Sequence, residues 1–236
     1  MVVLNKLIVI IPTYNEAENI FELIEKLKTN NLDLLIVDDN SPDKTADIVR
    51  RASKEFPNIF LKERERKLGL GSAYRDGFKE AINMGYEYFV EMDADFSHTI
   101  DDLNFMINSI EDSDLLIGSR YIVGGKTIGW NKFRKILSRS ANIYSKILCG
   151  HNILDSTSGF RIYSLNALRA IRFEETRSDG YGFQIEMTYR AYKKGLKLKE
   201  VPITFHERRE GNSKMNQKII FEALFLVLKL SLKKFD

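Results

Sequence analysis

The sequence is short of cysteine, proline and histidine. Among 236 residues there is one Cys (Cys149), four Pro and three His (His98, His151 and His206). A lone Cys forms no internal disulfide, and no Cys/His cluster has zinc spacing, so a disulfide framework and a zinc site are both excluded. With 44% hydrophobic and 29% charged residues, the chain is not collagen-like or disordered. No stretch reaches the ~18 consecutive apolar residues of a membrane span. The apolar stretch at 7–12 is too short and poorly flanked for a signal peptide. These absences lead to the expectation of a cytoplasmic protein whose membrane contact, if any, is at the surface. The length suits one α/β domain with a sizeable core.

Acidic residues are missing from one region. The net charge is only +3, yet residues 115–154 hold Arg120, Lys126, Lys132, Arg134, Lys135, Arg139 and Lys146 with no Asp or Glu. The remainder of the chain is therefore net negative. Such an island points to an anionic partner docking at one place, the alternative being a solvated basic face. A nucleic acid is disfavoured, because the stretch has few aromatics for stacking and no recognisable binding module.

Apolar runs alternate with helical spacing. Strands are expected at Leu7–Ile11, Leu34–Val37, Ile59–Leu61, Tyr88–Met92 and Leu115–Ile117, and helices around 20–27, 45–56, 72–84 and 100–110. This β-α-β-α order predicts an α/β fold, a doubly wound, mostly parallel sheet with helices on both faces. Further on come a basic amphipathic helix (132–148), a strand at Phe160–Tyr163, a helix around 183–194 and a single strand at Leu198–Phe205. An apolar C-terminal segment (218–235) suits a core helix, an interfacial one or a partner contact. In such sheets ligands bind beyond the carboxyl ends of the strands. Three strand ends carry polar clusters there: Pro12-Thr13-Tyr14-Asn15-Glu16, Asp38-Asp39-Asn40-Ser41 and Asp93-Ala94-Asp95. All three are expected to face one crevice.

Each cluster has a plain alternative. Asp93 and Asp95, two apart at a strand end, would point the same way in extended backbone. As hard oxygen donors they suit Mg²⁺ or Mn²⁺ on a diphosphate; otherwise they cap the next helix. An acidic residue of the Asp38-Asp39 pair can hold a ribose hydroxyl, and Asp43 can cap a helix. Gly69-Leu70-Gly71 lacks the third glycine of a dinucleotide loop, so it reads as punctuation before a helix. Arg134 and Ser138, four apart, share a helix face, where guanidinium and hydroxyl suit a phosphate.

These motifs, with Gly118-Ser119-Arg120-Tyr121, Trp130, Thr157-Ser158-Gly159-Phe160-Arg161, Gly180-Tyr181-Gly182-Phe183-Gln184, Glu200-Val201-Pro202-Ile203, Arg208 and Gly211-Asn212-Ser213-Lys214, occur in one order. The chain resembles the dolichyl-phosphate (polyprenyl-phosphate) mannose synthases, inverting family-2 glycosyltransferases of the GT-A fold, over about residues 7–214. The resemblance implies transfer of mannose from GDP-mannose to a dolichyl or polyprenyl phosphate. It places Pro12, Tyr14, Asn15, Glu16, Val37 and Asp39 on the donor nucleotide. Asp93, Ala94 and Asp95 would take the metal (Mg²⁺ or Mn²⁺, on Asp93 and Asp95) and the diphosphate. Arg120, Arg134 and Ser138 would take the acceptor phosphate, and Arg208 would bridge phosphates. Asp95, Arg120, Arg134 and Arg208 would be the residues that carry catalysis. Two positions depart from the pattern: some relatives have Gln where Ser97 stands, and others Lys where Asp179 stands.

The expected organisation is one domain over 1–236, with a nucleotide-sugar half (1–118), an acceptor half (119–214) and a C-terminal helix (215–236). The last would touch a membrane surface or a small membrane-anchoring protein, on the cytoplasmic face. No general base is nominated, since a phosphate monoester with a second pKa near ~6 is already largely ionised. A UDP-glucose enzyme and a non-catalytic lipid-phosphate or nucleotide-binding subunit are the alternatives.

Overall fold

The computed structural model describes residues 6–207 and 225–230. Nine strands and seven named helices follow in this order: β1 (Leu7–Thr13), α1 (Ala17–Leu27), β2 (Asp33–Asp38), α2 (Thr45–Glu55), β3 (Ile59–Glu63), α3 (Leu70–Asn83), β4 (Tyr88–Glu91), α4 (Ile100–Asn108), β5 (Leu115–Ser119), β6 (Lys126–Ile128), α5 (Lys132–Cys149), β7 (Arg161–Ser164), α6 (Leu165–Ile171), α7 (Gly180–Lys193), β8 (Leu198–Pro202) and β9 (Thr204–His206). Residues 225–230 are helical.

Strand alternation sets the layers. Leu7, Val9 and Ile11 of β1 face one core with Ile20, Leu23 and Ile24 of α1, Val49 of α2 and Leu103 of α4. Ile8 and Ile10 face the other, with Tyr74 and Phe78 of α3, Leu168 of α6 and Phe183 of α7. A strand buried on both faces reads as an unbroken apolar run, which is why LIVII carries no polar residue. The mixed α/β fold with helices on both faces is as expected.

The main sheet has the order β3-β2-β1-β4-β7-β5-β8. β7 runs antiparallel to both its neighbours, β4 and β5; the other pairs are parallel. One glycine explains how closely a helix packs on it. A Cβ on Gly77, in the middle of α3, would lie 2.6 Å from Ile10 Cγ2. Glycine costs helix stability at such a position, and here it permits close contact with β1.

The expected single strand at Leu198–Phe205 is two. β8 pairs with β5 as far as Pro202, and β9 then pairs with β6 in a separate two-stranded sheet. Pro202 has no N–H to continue the ladder. The short elements α6 and β6 were not expected, being too brief to show a period. Asp43 does cap: its Oδ1 accepts from the Thr45 N–H at 3.0 Å and its Oδ2 from the Ala17 N–H at 3.0 Å. It therefore serves the starts of both α2 and α1. Burial would raise its pKa; hydrogen bonds from Thr45 and Ala17 outweigh that and hold it below the usual value.

Candidate active site

The parallel register brings the polar strand ends together. Thr13 pairs with Asp38 across β1 and β2, and Ile10 pairs with Glu91 across β1 and β4. The segments that follow are stitched to one another. Asn15, at φ 59°, donates its N–H to Ser41 Oγ at 3.0 Å, and the Glu16 N–H donates to Thr45 Oγ1 at 3.0 Å. Thr13 and Ser41 hydroxyls both donate to Asp38 Oδ1, at 2.8 and 2.7 Å. Pro12, expected to end β1, lies one residue inside its end at Thr13 and is the register partner of Val37.

Two donor candidates are placed differently from a free ligand contact. Val37 is fully buried in the core that contains α3, so its side chain is a packing group. Asp39 is 5% exposed and ion-paired with Arg64 Nη1 at 2.5 Å. Burial raises its pKa despite that guanidinium. Tyr14 lies under Lys67, whose Nζ is 3.7 Å from the ring centroid.

β4 ends at Glu91, so Asp93 and Asp95 sit on the loop after it. The extended-strand argument for a common direction therefore does not apply. Their surroundings differ: the Asp93 side chain is 26% exposed, whereas Asp95 is 4% exposed and its Oδ1 accepts the Ser97 N–H at 3.1 Å. Neither is the cap residue of α4, a role taken by Thr99, whose hydroxyl accepts the Asp102 N–H at 3.0 Å. His98 Nε2 stands 3.6 Å from Asp93 Oδ2, and its ring stacks on Phe160 at 4.4 Å. Among the described residues no group of three His, Cys, Asp or Glu is arranged around a metal position. Two hard carboxylates without a third protein ligand suit an ion that completes its shell with phosphate oxygens and water.

Below this loop lies a block that sequence reasoning missed. Arg161 is fully buried and donates to the carbonyls of Ser156, Ser158 and Gln184 and to Thr188 Oγ1. It is the register partner of Glu91, whose carboxyl burial pushes up to about 8 against the pull of Arg161. An Arg inside the Thr157–Arg161 motif was the available signal. Nothing in the sequence gave its partners.

The basic face is built around α5. Asn131 Oδ1 accepts the Arg134 N–H at 2.8 Å and so caps the helix. Arg134 and Ser138 follow one turn apart, and Ser138 Oγ accepts the Tyr121 hydroxyl at 2.6 Å. The Arg134 guanidinium stacks 4.1 Å from the centroid of Trp130, and its Nη1 is 3.3 Å from Glu207 Oε1. Arg120 is buried and already engaged. Its Nε and Nη2 donate to Asp155 at 2.7 and 2.6 Å, and Nη2 also donates to Thr157 Oγ1 at 2.8 Å. Burial would lower the Arg120 pKa; Asp155 raises it. Burial would likewise raise Asp155, and Arg120 holds it low. Asp155 and Glu207 were not foreseen, because partners 35 and 73 residues away leave no local pattern. Asp179, the second departure, accepts the Gly71 N–H at the start of α3. Arg208 and the 211–214 motif lie outside the described residues.

The two clusters are joined by aromatic contacts. The His98 ring meets Phe205 at 5.3 Å, Phe205 meets Trp130 at 5.3 Å, and Trp130 carries Arg134. An open sheet of this order, with an acidic loop after β4 and a basic helix beyond it, defines a GT-A glycosyltransferase. The chain belongs to glycosyl transferase family 2, whose pattern matches residues 8–172. It is 41% identical over 229 residues to an undecaprenyl-phosphate mannosyltransferase of Micrococcus luteus, covering 96% of this chain and 94% of that protein. It is 42% identical over 224 residues to a polyprenol monophosphomannose synthase of Mycolicibacterium smegmatis, covering 93% and 84%. The fold is shared with a mannosyltransferase from Pyrobaculum calidifontis solved with GDP-Man and Mn²⁺. That match has a TM-score of 0.57 and 17% identity, over 96% of this chain and 72% of that one.

Proposed function

We propose that this glycosyltransferase moves mannose from GDP-mannose to a polyprenyl phosphate, with inversion at the anomeric carbon. The observation that carries the reading is the link from the Asp93–Asp95 loop through His98, Phe205 and Trp130 to Arg134. In this reading the carboxylates that would hold a cation for the diphosphate connect through these rings to a guanidinium that would receive a second phosphate. The names of the two curated relatives supply the substrate class.

In this mechanism the acceptor phosphate oxygen attacks the anomeric carbon and GDP leaves from the opposite face. The obstacle is charge, since one anion approaches another. Asp93 and Asp95 would hold a Mg²⁺ or Mn²⁺, which when bound neutralises the departing diphosphate. Pro12, Tyr14, Asn15, Glu16 and Asp39 would line the nucleotide side, and Ala94 would bring backbone close to the phosphates. Arg134 and Ser138 would receive the acceptor phosphate. Arg120, locked by Asp155 and Thr157, would hold the segment after β5 against the 155–157 loop. Arg208 is proposed as a further phosphate contact on the resemblance alone.

The same reading puts the protein on a membrane, on its cytoplasmic face. Among the described residues no helix is long and apolar enough to cross one. α5 nevertheless exposes Phe133, Ile136, Ile143 and Ile147 at 75, 65, 58 and 72%. At helical spacing these form one stripe, flanked by Lys132, Lys135, Arg139 and Lys146. Apolar side chains beside cations suit a headgroup layer. Phe225 and Leu228 are also exposed, on a helix that joins the same small apolar cluster as Cys149 and Leu148 of α5. With this stripe the reading calls on no separate anchoring protein.

The test is a panel of nucleotide sugars incubated with a short polyprenyl phosphate and Mn²⁺, with products read by mass. GDP-mannose should give the hexosyl lipid phosphate. Preferential transfer from UDP-glucose would overturn the donor assignment, and no transfer from any donor would overturn the catalytic one.

A further inference from the structure

Among the described residues, two buried donors beside one another lack acceptors. Trp130 is 7% exposed, and its indole Nε1 has no hydrogen-bond partner among these residues. Arg134, stacked 4.1 Å above that ring, has its Nε buried and equally without a partner among them. A buried indole N–H normally finds an acceptor, and leaving a buried donor unpaired is unfavourable. Both orphans are donors, so what they lack is an acceptor. With the Arg134 guanidinium against the same ring, paired with the half-exposed Glu207, an anion fits the site better than a neutral acceptor.

The ring is fixed from the other side. Phe205 meets it edge-on at 5.3 Å and 70°. Arg134 is covered on its Nη1 edge by Glu207, whose side chain is 52% exposed. The backbone makes room for that carboxylate: a Cβ on Gly129 (φ +86°) would come within 2.7 Å of Glu207 Cβ. Glu207 is thus a half-exposed side chain lying over a guanidinium, and an arriving anion can exchange with it.

We propose that the Trp130 indole N–H is a donor to the acceptor phosphate, acting together with Arg134 once Glu207 has moved aside. This rests on the reading of Arg134 as the acceptor-phosphate group. It adds a direct contact that charge counting alone does not reveal, because Trp130 carries no charge. A planar donor beside a guanidinium fork would also fix the direction from which the phosphate oxygen attacks.

The chain has one tryptophan, so its intrinsic fluorescence reports on this residue alone. Titration of the full chain with farnesyl phosphate should change the emission saturably, whereas farnesol should not. Trp130→Phe keeps a ring under Arg134 and deletes the N–H. It should raise the KM for the isoprenyl phosphate about tenfold, the scale of a hydrogen bond to a charged group, and leave the donor KM within twofold. Replacing the single tryptophan biosynthetically with 3-benzothienylalanine, which keeps the shape and loses the N–H, should give the same split. Acceptor KM unchanged in both forms, while Arg134→Ala raises it, overturns the Trp130 contact alone. An equal rise in both KM values would mean that the ring only packs. If Arg134→Ala leaves the acceptor KM unchanged, the underlying phosphate assignment fails instead.

Discussion

Asp155 grips Arg120 from three directions. The carboxylate accepts the Arg120 backbone N–H at 2.9 Å, its Nε at 2.7 Å and its Nη2 at 2.6 Å, in a pair with side chains 4% and 0% exposed. Breaking a buried pair leaves an uncompensated charge and typically costs about 3–5 kcal/mol. Asp155→Asn should therefore lower stability by that order, read as a shift in urea midpoint. The Asp155 pKa is depressed in the fold. Its contribution is thus complete above the unfolded carboxylate range and is lost as the pH falls through the folded value. The variant should show a shallower loss of stability below about pH 4 than the parent.

Asp95 should separate chemistry from folding. Asp95→Asn keeps an oxygen for the Ser97 N–H that Asp95 Oδ1 now accepts, so the melting temperature should stay within a few degrees. Turnover should fall about 10²–10³-fold or more, the scale of losing one preorganised electrostatic group. Mn²⁺ affinity in the presence of GDP, measured by calorimetry, should fall in parallel. An active Asp95→Asn enzyme with parental Mn²⁺ binding is incompatible with the proposed role.

The α5 stripe should act at surfaces and not in the fold. Ile136 and Ile143 are 65 and 58% exposed, and surface substitutions of this kind usually change stability by less than about 0.5 kcal/mol. Ile136→Glu with Ile143→Glu should reduce sedimentation with vesicles containing phosphatidylglycerol. Activity toward a water-soluble short acceptor should persist. Equal sedimentation of the variant and the parent would remove the membrane role of this helix.

His151 supplies a pH test in a milder range. It is buried, with Nε2 3.1 Å from Ser145 Oγ, and burial, aided by Arg161, lowers its pKa to about 4. The unfolded chain gains the proton near pH ~6.5. Stability should be complete above that value and fall as the pH drops toward 4, by roughly 3 kcal/mol in total. His151→Gln should flatten this slope in thermal melts between pH 4 and 7.

The residues that could be read from sequence were those with a local signature. β1, β2, β4 and β5 show as apolar runs, and the polar clusters at their ends are dictated by the parallel order. The extended-backbone argument for Asp93 and Asp95 does not hold because β4 stops two residues before the first of them. That end is set by pairing with β1 and β7, which no local window contains. Arg120 reads as a free guanidinium in a stretch without acids. Its acid, Asp155, stands one residue past the edge of that stretch and reaches it only through the fold.

The placement of β7 has a consequence for the chain as a whole. This strand, from beyond residue 160, lies between β4 and β5, both completed before residue 120. A cut near residue 118 would leave the amino-terminal piece with a gap in the middle of its sheet and the remaining piece with two strands, β7 and β8, parted from their neighbours. The fragments should be insoluble alone and recover activity only when produced together. Recombination that exchanges acceptor halves between relatives must therefore preserve this interleaving.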